Sequence, residues 1–392
     1  MTDNHYDVVV VGLGIMGAGA LYQAAKRGAK ALGLDQFAPP HTYGSSHGDT
    51  RITRQAIGEG EMYMPFIRRS NEIWRELETI TNRQLYLATG GLIIAPEGGG
   101  AEFHARSDFV ARTANIATAY GINHAVLTDQ ETMQRYPLLK LRPQDIAYYE
   151  PGAGVLRPEL CIQTQLEQAV HSGAAVHTNE TVTSYEATAH GVQITTNKGR
   201  YAADRIVLAM GAWLPDLLAA EHRPGVDIYR QVIYWFEAED ITAFTEHNFP
   251  FVIWIGDTAA DFFSAFPAMR DGLQGVKVLT EQYAQTTTAQ TIDRTVKAEE
   301  IAHLYQMTQT RLHGVRDKLV HADVCLYTVT PDEHFILDFH PDTERVVIAS
   351  PCSGHGFKHA AAIGETLAEL ALNGKSTLDI SQFSLARLKT LE

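Results

Sequence analysis

Tyr6-Asp-Val-Val-Val-Val-Gly12-Leu-Gly14-Ile-Met-Gly17 is an apolar run that enters G-x-G-x-x-G and continues into a helix-like stretch. In that order the three parts form a nucleotide-binding turn. Gly12 makes the tight bend, Gly14 lets a pyrophosphate approach the backbone, and Gly17 allows helix and strand to pack closely. Asp35 ends a second apolar run, Ala31-Leu-Gly-Leu-Asp35, at the spacing of a carboxylate that holds a ribose hydroxyl. At the other end of the chain, Ser353-Gly354-His355-Gly356-Phe357-Lys358 follows the strand-like Val346-Val-Ile-Ala349. If both ends serve one cofactor, the protein is built around it.

Outward from these segments the pattern is α/β, a parallel sheet with crossover helices. Strands are expected at 6–11 and 30–35 with a helix at about 15–27 between them. The stretch from Pro39 to Arg51, rich in Pro, Gly and Ser, excludes regular structure. From Pro65, the residues Phe66, Ile67, Ile73, Trp74, Leu77 and Ile80 recur on one helical face. Gly90–Ala95 and Ala174–Thr178 read as strands, and Glu159–His171 as an amphipathic helix. Residues 191–201 form a hairpin turning at Asn197–Gly199, and Asp204–Trp213 repeats the strand-to-glycine logic at Gly211. Residues 228–285 are rich in β-formers and aromatics, including Trp235, and suit a sheet lining an apolar pocket. Residues 289–313 read as helix. The chain therefore returns repeatedly to its nucleotide domain, and two interleaved domains are expected.

Composition sets outer limits. The 392 residues exceed the usual single-domain size. A net charge of −14, from 32 basic and 46 acidic residues, disfavours nucleic acid and anionic membranes as partners. No apolar run reaches the roughly 18 residues of a bilayer span, and Met1-Thr-Asp-Asn-His carries no signal-like core. A cytoplasmic protein is expected. Three cysteines, Cys161, Cys325 and Cys352, are too few for a disulfide framework. The 17 histidines show no H-x-x-x-H or H-x-H cluster beside a carboxylate, so no metal is expected.

Four further segments carry a specific resemblance: Gly44-Ser-Ser-His47-Gly48-Asp49-Thr50-Arg51, Tyr229-Arg230-Gln231-Val232, Asp332-Glu333-His334-Phe335-Ile336-Leu337-Asp338 and Ser353–Lys358. With them, nearly the whole chain resembles the monomeric sarcosine oxidase and N-methyltryptophan oxidase family, flavoenzymes that oxidise N-methyl amino acids. The resemblance implies a Rossmann-like FAD-binding domain, made of 1–88, 146–222 and 320–392, interleaved with a mixed-sheet substrate domain of 89–145 and 223–319. It implies FAD attached through a thioether to Cys325, and Arg54 and Lys358 as the pair that holds the substrate carboxylate. Lys277 takes the place of a lysine near the flavin that assists oxygen reduction. Ser45, His47, Thr50 and Arg51 pack around the flavin with Gly211, Gly354, Gly356 and Phe357, and Tyr327 stands at the substrate pocket. His47 is either a general base or a hydrogen-bonded structural histidine. A monomer is implied, with hydrogen peroxide, formaldehyde and the demethylated amino acid as products.

Three positions depart from the family. Relatives carry His-Ala-Tyr before Gly-Glu-Gly in the loop over the active site, where this chain has Gln55-Ala56-Ile57-Gly58-Glu59-Gly60. A histidine of the sarcosine enzymes is replaced by Glu281, and a tyrosine pair becomes Phe263-Ser264 before Ala265-Phe266-Pro267. All three are expected at the pocket wall and bear on which substrate is taken. The aromatics around Trp235 favour one bulkier than sarcosine, such as N-methyltryptophan. Two other readings stay open: a flavin dehydrogenase with a different electron acceptor, and a non-catalytic or NAD-binding Rossmann protein.

Overall fold

The strand His5–Val11, the helix Ile15–Lys26 and the strand Ala31–Leu34 realise the expected opening unit. The structure, a computed structural model, describes residues 5–390. Met1–Asn4, part of the stretch read above for a signal, lie outside the described residues. Val8 to Val11 pair in parallel with Ala31 to Leu34, and Ala175–His177 extends the sheet beyond. On the other side, the strand Arg200–Leu208 runs parallel to the first. Thr343–Ser350 joins it in parallel through Val346, Val347 and Ile348, so the last strand of the chain sits two places from the first. Val8, Val9 and Val10 are fully buried, as expected for a strand covered on both faces.

Glycine contacts set the packing of the opening helix. A Cβ on Gly17 would fall 1.7 Å from the Gly12 carbonyl oxygen, and one on Gly364 would fall 2.7 Å from the Gly19 Cα. The helices Ile15–Lys26 and Ala360–Asn373 therefore approach backbone to backbone. The N-terminal turn and the segment after Ser353 are held to one layer.

A second sheet of eight strands runs in the order 315–329, 227–238, 276–279, 263–266, 251–254, 91–96, 145–150, 125–128. It is mixed: Phe251–Trp254 is parallel to Gly91–Pro96, and the other pairs are antiparallel. Arg51–Thr53, Gly154–Leu156 and Tyr86–Leu87 form a small third sheet. Asp145–Glu150 and Val315–Val329 lie mostly in stretches expected with the cofactor domain, yet both hydrogen-bond into the second sheet.

Two local expectations also differ. The helix foreseen over 289–313 begins only at Ala298. Before it, Asp293 accepts from the Thr295 N–H, and the Thr288 and Thr291 hydroxyls each accept from the other's backbone N–H. Such side-chain bonds give the backbone an alternative to helix. In the helix Met64–Thr81 the expected face is buried through Leu77, but Ile80 is 57% exposed because the final turn overhangs the core.

Candidate active site

A cleft of about 430 Å³ lies along the ends of the parallel strands. It gathers residues from across the chain: Gly12, Gly14, Asp35, Ser45, Arg51, Gly211, Gly354, Gly356 and Phe357 all line it. Gly12 has φ +85°, and a Cβ there would meet the Ala209 carbonyl oxygen at 2.6 Å. A Cβ on Gly14 would have only the Ser46 hydroxyl for a neighbour, at 3.9 Å, so its backbone stands open to the cleft. This cradle of glycine backbone at the start of a helix fits a dinucleotide pyrophosphate. Asp35 accepts from the Leu13 N–H at 2.7 Å and the Phe37 N–H at 2.8 Å. A carboxylate offers about four acceptor positions, so Asp35 keeps capacity for a ribose hydroxyl on the same cleft.

A smaller cavity of about 90 Å³ adjoins it, and Arg51, Tyr327, Gly354 and Phe357 line both. The small cavity also takes in Arg54, Lys358 and Cys325. Cys325 and Tyr327 are two apart on one strand, so both side chains point to the same face. Burial pushes the Cys325 thiol up to about 11, against the pull of the neighbouring Arg51 and Lys277 cations.

The two cations do not stand free. Arg54 donates through one terminal nitrogen to both oxygens of Glu59, each at 2.7 Å, and Lys358 donates to Glu59 Oε1 at 3.0 Å. All three side chains are buried. Burial pushes the Glu59 carboxyl up, but Arg54 and Lys358 outweigh it and hold it well below the usual range. Lys358 is brought down to about 8, chiefly by burial. Arg54 Nε is buried and has no hydrogen-bond partner among the described residues. Two cations against one acid leave a net positive charge, which suits an incoming carboxylate. Sequence reasoning missed Glu59 as a site residue. The available signal was an acid flanked by Gly58 and Gly60, four residues beyond Gln55.

Lys277, Thr50 and His47 line neither cavity. Lys277 is buried, donating to the Gly48 carbonyl at 2.7 Å, the Thr50 carbonyl at 2.6 Å and the Thr50 hydroxyl at 3.1 Å. Its ammonium lies 4.2 Å from the Phe266 ring centroid. It thereby anchors the turn that presents Arg51. His47 is fully buried, with neither ring nitrogen hydrogen-bonded among the described residues. Burial and the Arg51 and Lys277 charges bring it down to about 3, so its ring is neutral at neutral pH. The Ser45 hydroxyl donates to the Leu326 carbonyl, tying this turn to the strand of Cys325.

Of the three departures, Ser264 and Glu281 line the small cavity, whereas Ile57 is fully buried in the core. Trp235 does not line it either. That residue is buried beside Lys277, and Tyr234 and Phe236 point into the core of the second sheet. The aromatic wall comes instead from Phe103, Phe262 and Phe266. From the strand around Trp235 only Ile233 lines the small cavity, so the aromatics of that strand carry no argument for a bulky substrate. Among the described residues His222, His340 and Asp342 have potential ligand atoms within 4.8 Å of one another, on a partly exposed surface and with no ion present.

Comparison with known proteins places this geometry in a family. The family described as FAD dependent oxidoreductase (DAO) matches residues 7–370. Monomeric sarcosine oxidase of Bacillus sp. (strain NS-129) is 40% identical over 389 residues, covering 98% of this chain and 97% of that protein. N-methyl-L-tryptophan oxidase of Yersinia pestis (strain Pestoides F) is 33% identical over 384 residues, covering 98% of this chain and 100% of that protein. The solved structure of NikD, an unusual amino acid oxidase essential for nikkomycin biosynthesis, superposes with a TM-score of 0.85 at 22% identity, covering 98% of each chain. That likeness shows the fold. With a dinucleotide cleft assembled from both ends of the sequence and full-length relatives at this identity, the chain belongs to the FAD dependent oxidoreductase family and is a flavin-dependent oxidoreductase.

Proposed function

We propose that this protein oxidises the CH–NH bond of an N-methyl or related secondary amino acid with dioxygen as electron acceptor. The observation that carries the reading is a pair of buried cations, Arg54 and Lys358, with Glu59 between them, in a cavity that shares a wall with the dinucleotide cleft. The relatives named for sarcosine and N-methyl-L-tryptophan oxidation support the same substrate class. For an N-methyl substrate the balance is R–NH–CH3 + O2 + H2O → R–NH2 + HCHO + H2O2.

FAD, when bound, accepts the hydride equivalent from the amine and passes the electrons to oxygen. The chain's own residues do the rest. Arg54 and Lys358 fix the carboxylate, and with it the distance of the amine from the wall of Tyr327 and Phe357. Ile52, Ile233, Ile253 and Leu279 exclude water, which favours the neutral amine needed for oxidation. Cys325, which lines the small cavity, would carry FAD covalently. Ser45 and Arg51 would border the flavin from the cofactor cleft, His47 and Thr50 complete their turn from behind, and buried Lys277 holds that turn through Gly48 and Thr50. The domain division proposed is the interleaved one, with the second sheet as the substrate layer. No helix among the described residues is long and apolar enough to cross a membrane, and a cytoplasmic monomer is proposed.

Purified protein, yellow with flavin, is screened with N-methyl and cyclic amino acids for peroxide release in air and for flavin bleaching without oxygen. Peroxide with at least one secondary amino acid is expected. Bleaching without peroxide, the reduced protein persisting in air, would replace the oxidase with a dehydrogenase. No flavin, or no bleaching by any secondary amine, removes the reading.

A further inference from the structure

Glu150 is a buried acid whose hydrogen bonds go to the loop that carries Arg54. It ends the strand Asp145–Glu150 of the second sheet and lines neither cavity. Its Oε1 accepts from the Gln55 N–H at 2.7 Å. Its Oε2 accepts from the Ala56 N–H at 3.1 Å and from the Tyr148 hydroxyl at 2.8 Å. These donors are two backbone amides and a phenol, none of them a cation. Burial raises the Glu150 carboxyl from its ordinary value, against the pull of the three donors and the Arg54 charge.

Ala56 joins this acid to the cation. Its N–H is bound by Glu150, and its carbonyl accepts from Arg54 Nη1 at 3.0 Å. Arg54 Nη2 reaches on to Glu59 in the same loop. The Gln55 side chain lies on the turn after the Glu150 strand, where a Cβ on Gly152 would fall 2.1 Å from Gln55 Nε2. The second sheet therefore grips the loop at two successive amides, directly beside the residue whose guanidinium lines the substrate cavity. A buried acid with no counter-ion is costly unless hydrogen bonds offset it. Here two of its three bonds fix backbone that sets where Arg54 points, and a binding group must be held to about 0.5 Å to act well.

We propose that Glu150 is a positioning residue for carboxylate recognition, which by holding the Gln55 and Ala56 amides keeps the Arg54 guanidinium on the cavity wall. This rests on the reading of Arg54 as a carboxylate-binding group. It goes further in assigning the geometry of that cation to an acid on another sheet, outside the cavity. Charge and position predict opposite signs for its removal. As a charge, Glu150 opposes an incoming carboxylate, so its loss would tighten binding. As a positioning group, its loss weakens binding.

Propanoate, a carboxylate with no amine to oxidise, is titrated calorimetrically into the flavin-loaded wild type, Glu150→Gln and Glu150→Asp. In parallel, kcat/KM for the best N-methyl amino acid is measured for each, with and without Arg54→Ala. Glu150→Gln keeps the shape, but its amide turns an NH2 group toward one of the two backbone donors. It should weaken propanoate and lower kcat/KM about tenfold, the loss of one hydrogen bond to a charged group. Beside Arg54→Ala, with no guanidinium left to place, the same change should lower kcat/KM less than about twofold. Glu150→Asp keeps the charge with a shorter reach and should show a smaller loss of the same pattern. It carries the test if the glutamine variant does not load flavin. Unchanged or tighter propanoate binding overturns the proposal, as does an equal fall in kcat/KM in both Arg54 backgrounds. Failure of both Glu150 variants to load flavin makes the residue purely structural and also overturns it. A wild type that binds no propanoate removes the carboxylate site and the proposal with it. Glu150-dependent propanoate binding without turnover of any amine keeps the positioning role and removes the oxidase reading. Turnover with propanoate binding equal in all three proteins does the reverse.

Discussion

Arg54 and Glu59, five residues apart, face each other in the protein interior with both carboxylate oxygens 2.7 Å from one guanidinium nitrogen. The pair sits on the wall of the cavity that a substrate carboxylate must enter, so Glu59 sets how much of the Arg54 and Lys358 charge is left for it. An incoming carboxylate would meet a clamp already half satisfied by Glu59.

Glu59→Gln removes that internal acid and leaves two buried cations without compensation. Breaking a buried pair in this way costs about 3–5 kcal/mol. Thermal unfolding of the flavin-loaded variant should show a clear drop in Tm. A small carboxylate ligand should recover more of it than the same ligand adds to the wild type. An unchanged Tm would show that the pair is not formed in solution.

Arg54→Ala removes one of the cations that line the cavity. Hydrogen bonds to a charged group contribute about 1.5–3 kcal/mol each, so KM for the best amino acid should rise roughly 10- to 100-fold with the flavin spectrum unaltered. Steady-state kinetics decide this, and a normal KM would leave Lys358 as the sole clamp.

The Lys358 ammonium titrates at about 8, lowered chiefly by burial. A group lowered in this way is charged below that pH and neutral above it, so carboxylate binding is fully supported below about pH 8 and lost as pH rises through it. KM should be flat on the acid side and climb above about pH 8. Lys358→Arg should move that limb upward, because a guanidinium stays charged. The same limb in both proteins would assign it to another group.

Flavin attachment at Cys325 should depend on pH in the opposite direction. Burial lifts the thiol to about 11, and the thiolate is the reactive form. With FAD supplied to apoprotein, flavin retained in acid-precipitated protein should accumulate faster from neutral pH upward. Cys325→Ser should bind FAD that is released on precipitation. Retention in the serine variant would place the bond elsewhere.

Much of this was legible along the chain. Apolar runs, glycine spacing and helical periodicity located the opening unit and the cleft-lining residues Gly12, Gly14, Asp35 and Gly211, whereas the cations Arg54 and Lys358 came from the family resemblance alone. These signals are local, set by backbone sterics and by which face of one element is apolar. Trp235 shows where the same reasoning fails. An aromatic-rich strand looks identical whether its rings face a ligand or a core, and here they face the core.

The amino-acid sequence by itself pointed to a dinucleotide-binding glycine turn at Gly12–Gly17, and its family resemblance named two cations for an anion. Tertiary structure alone decided that Glu59 stands between those cations and that Glu281 faces the same cavity with the Tyr283 hydroxyl donating to it. Lys358 and Glu59 are 299 positions apart. The net charge of a site is a sum over residues that only the folded chain brings within a few ångströms, where low dielectric makes each of them count.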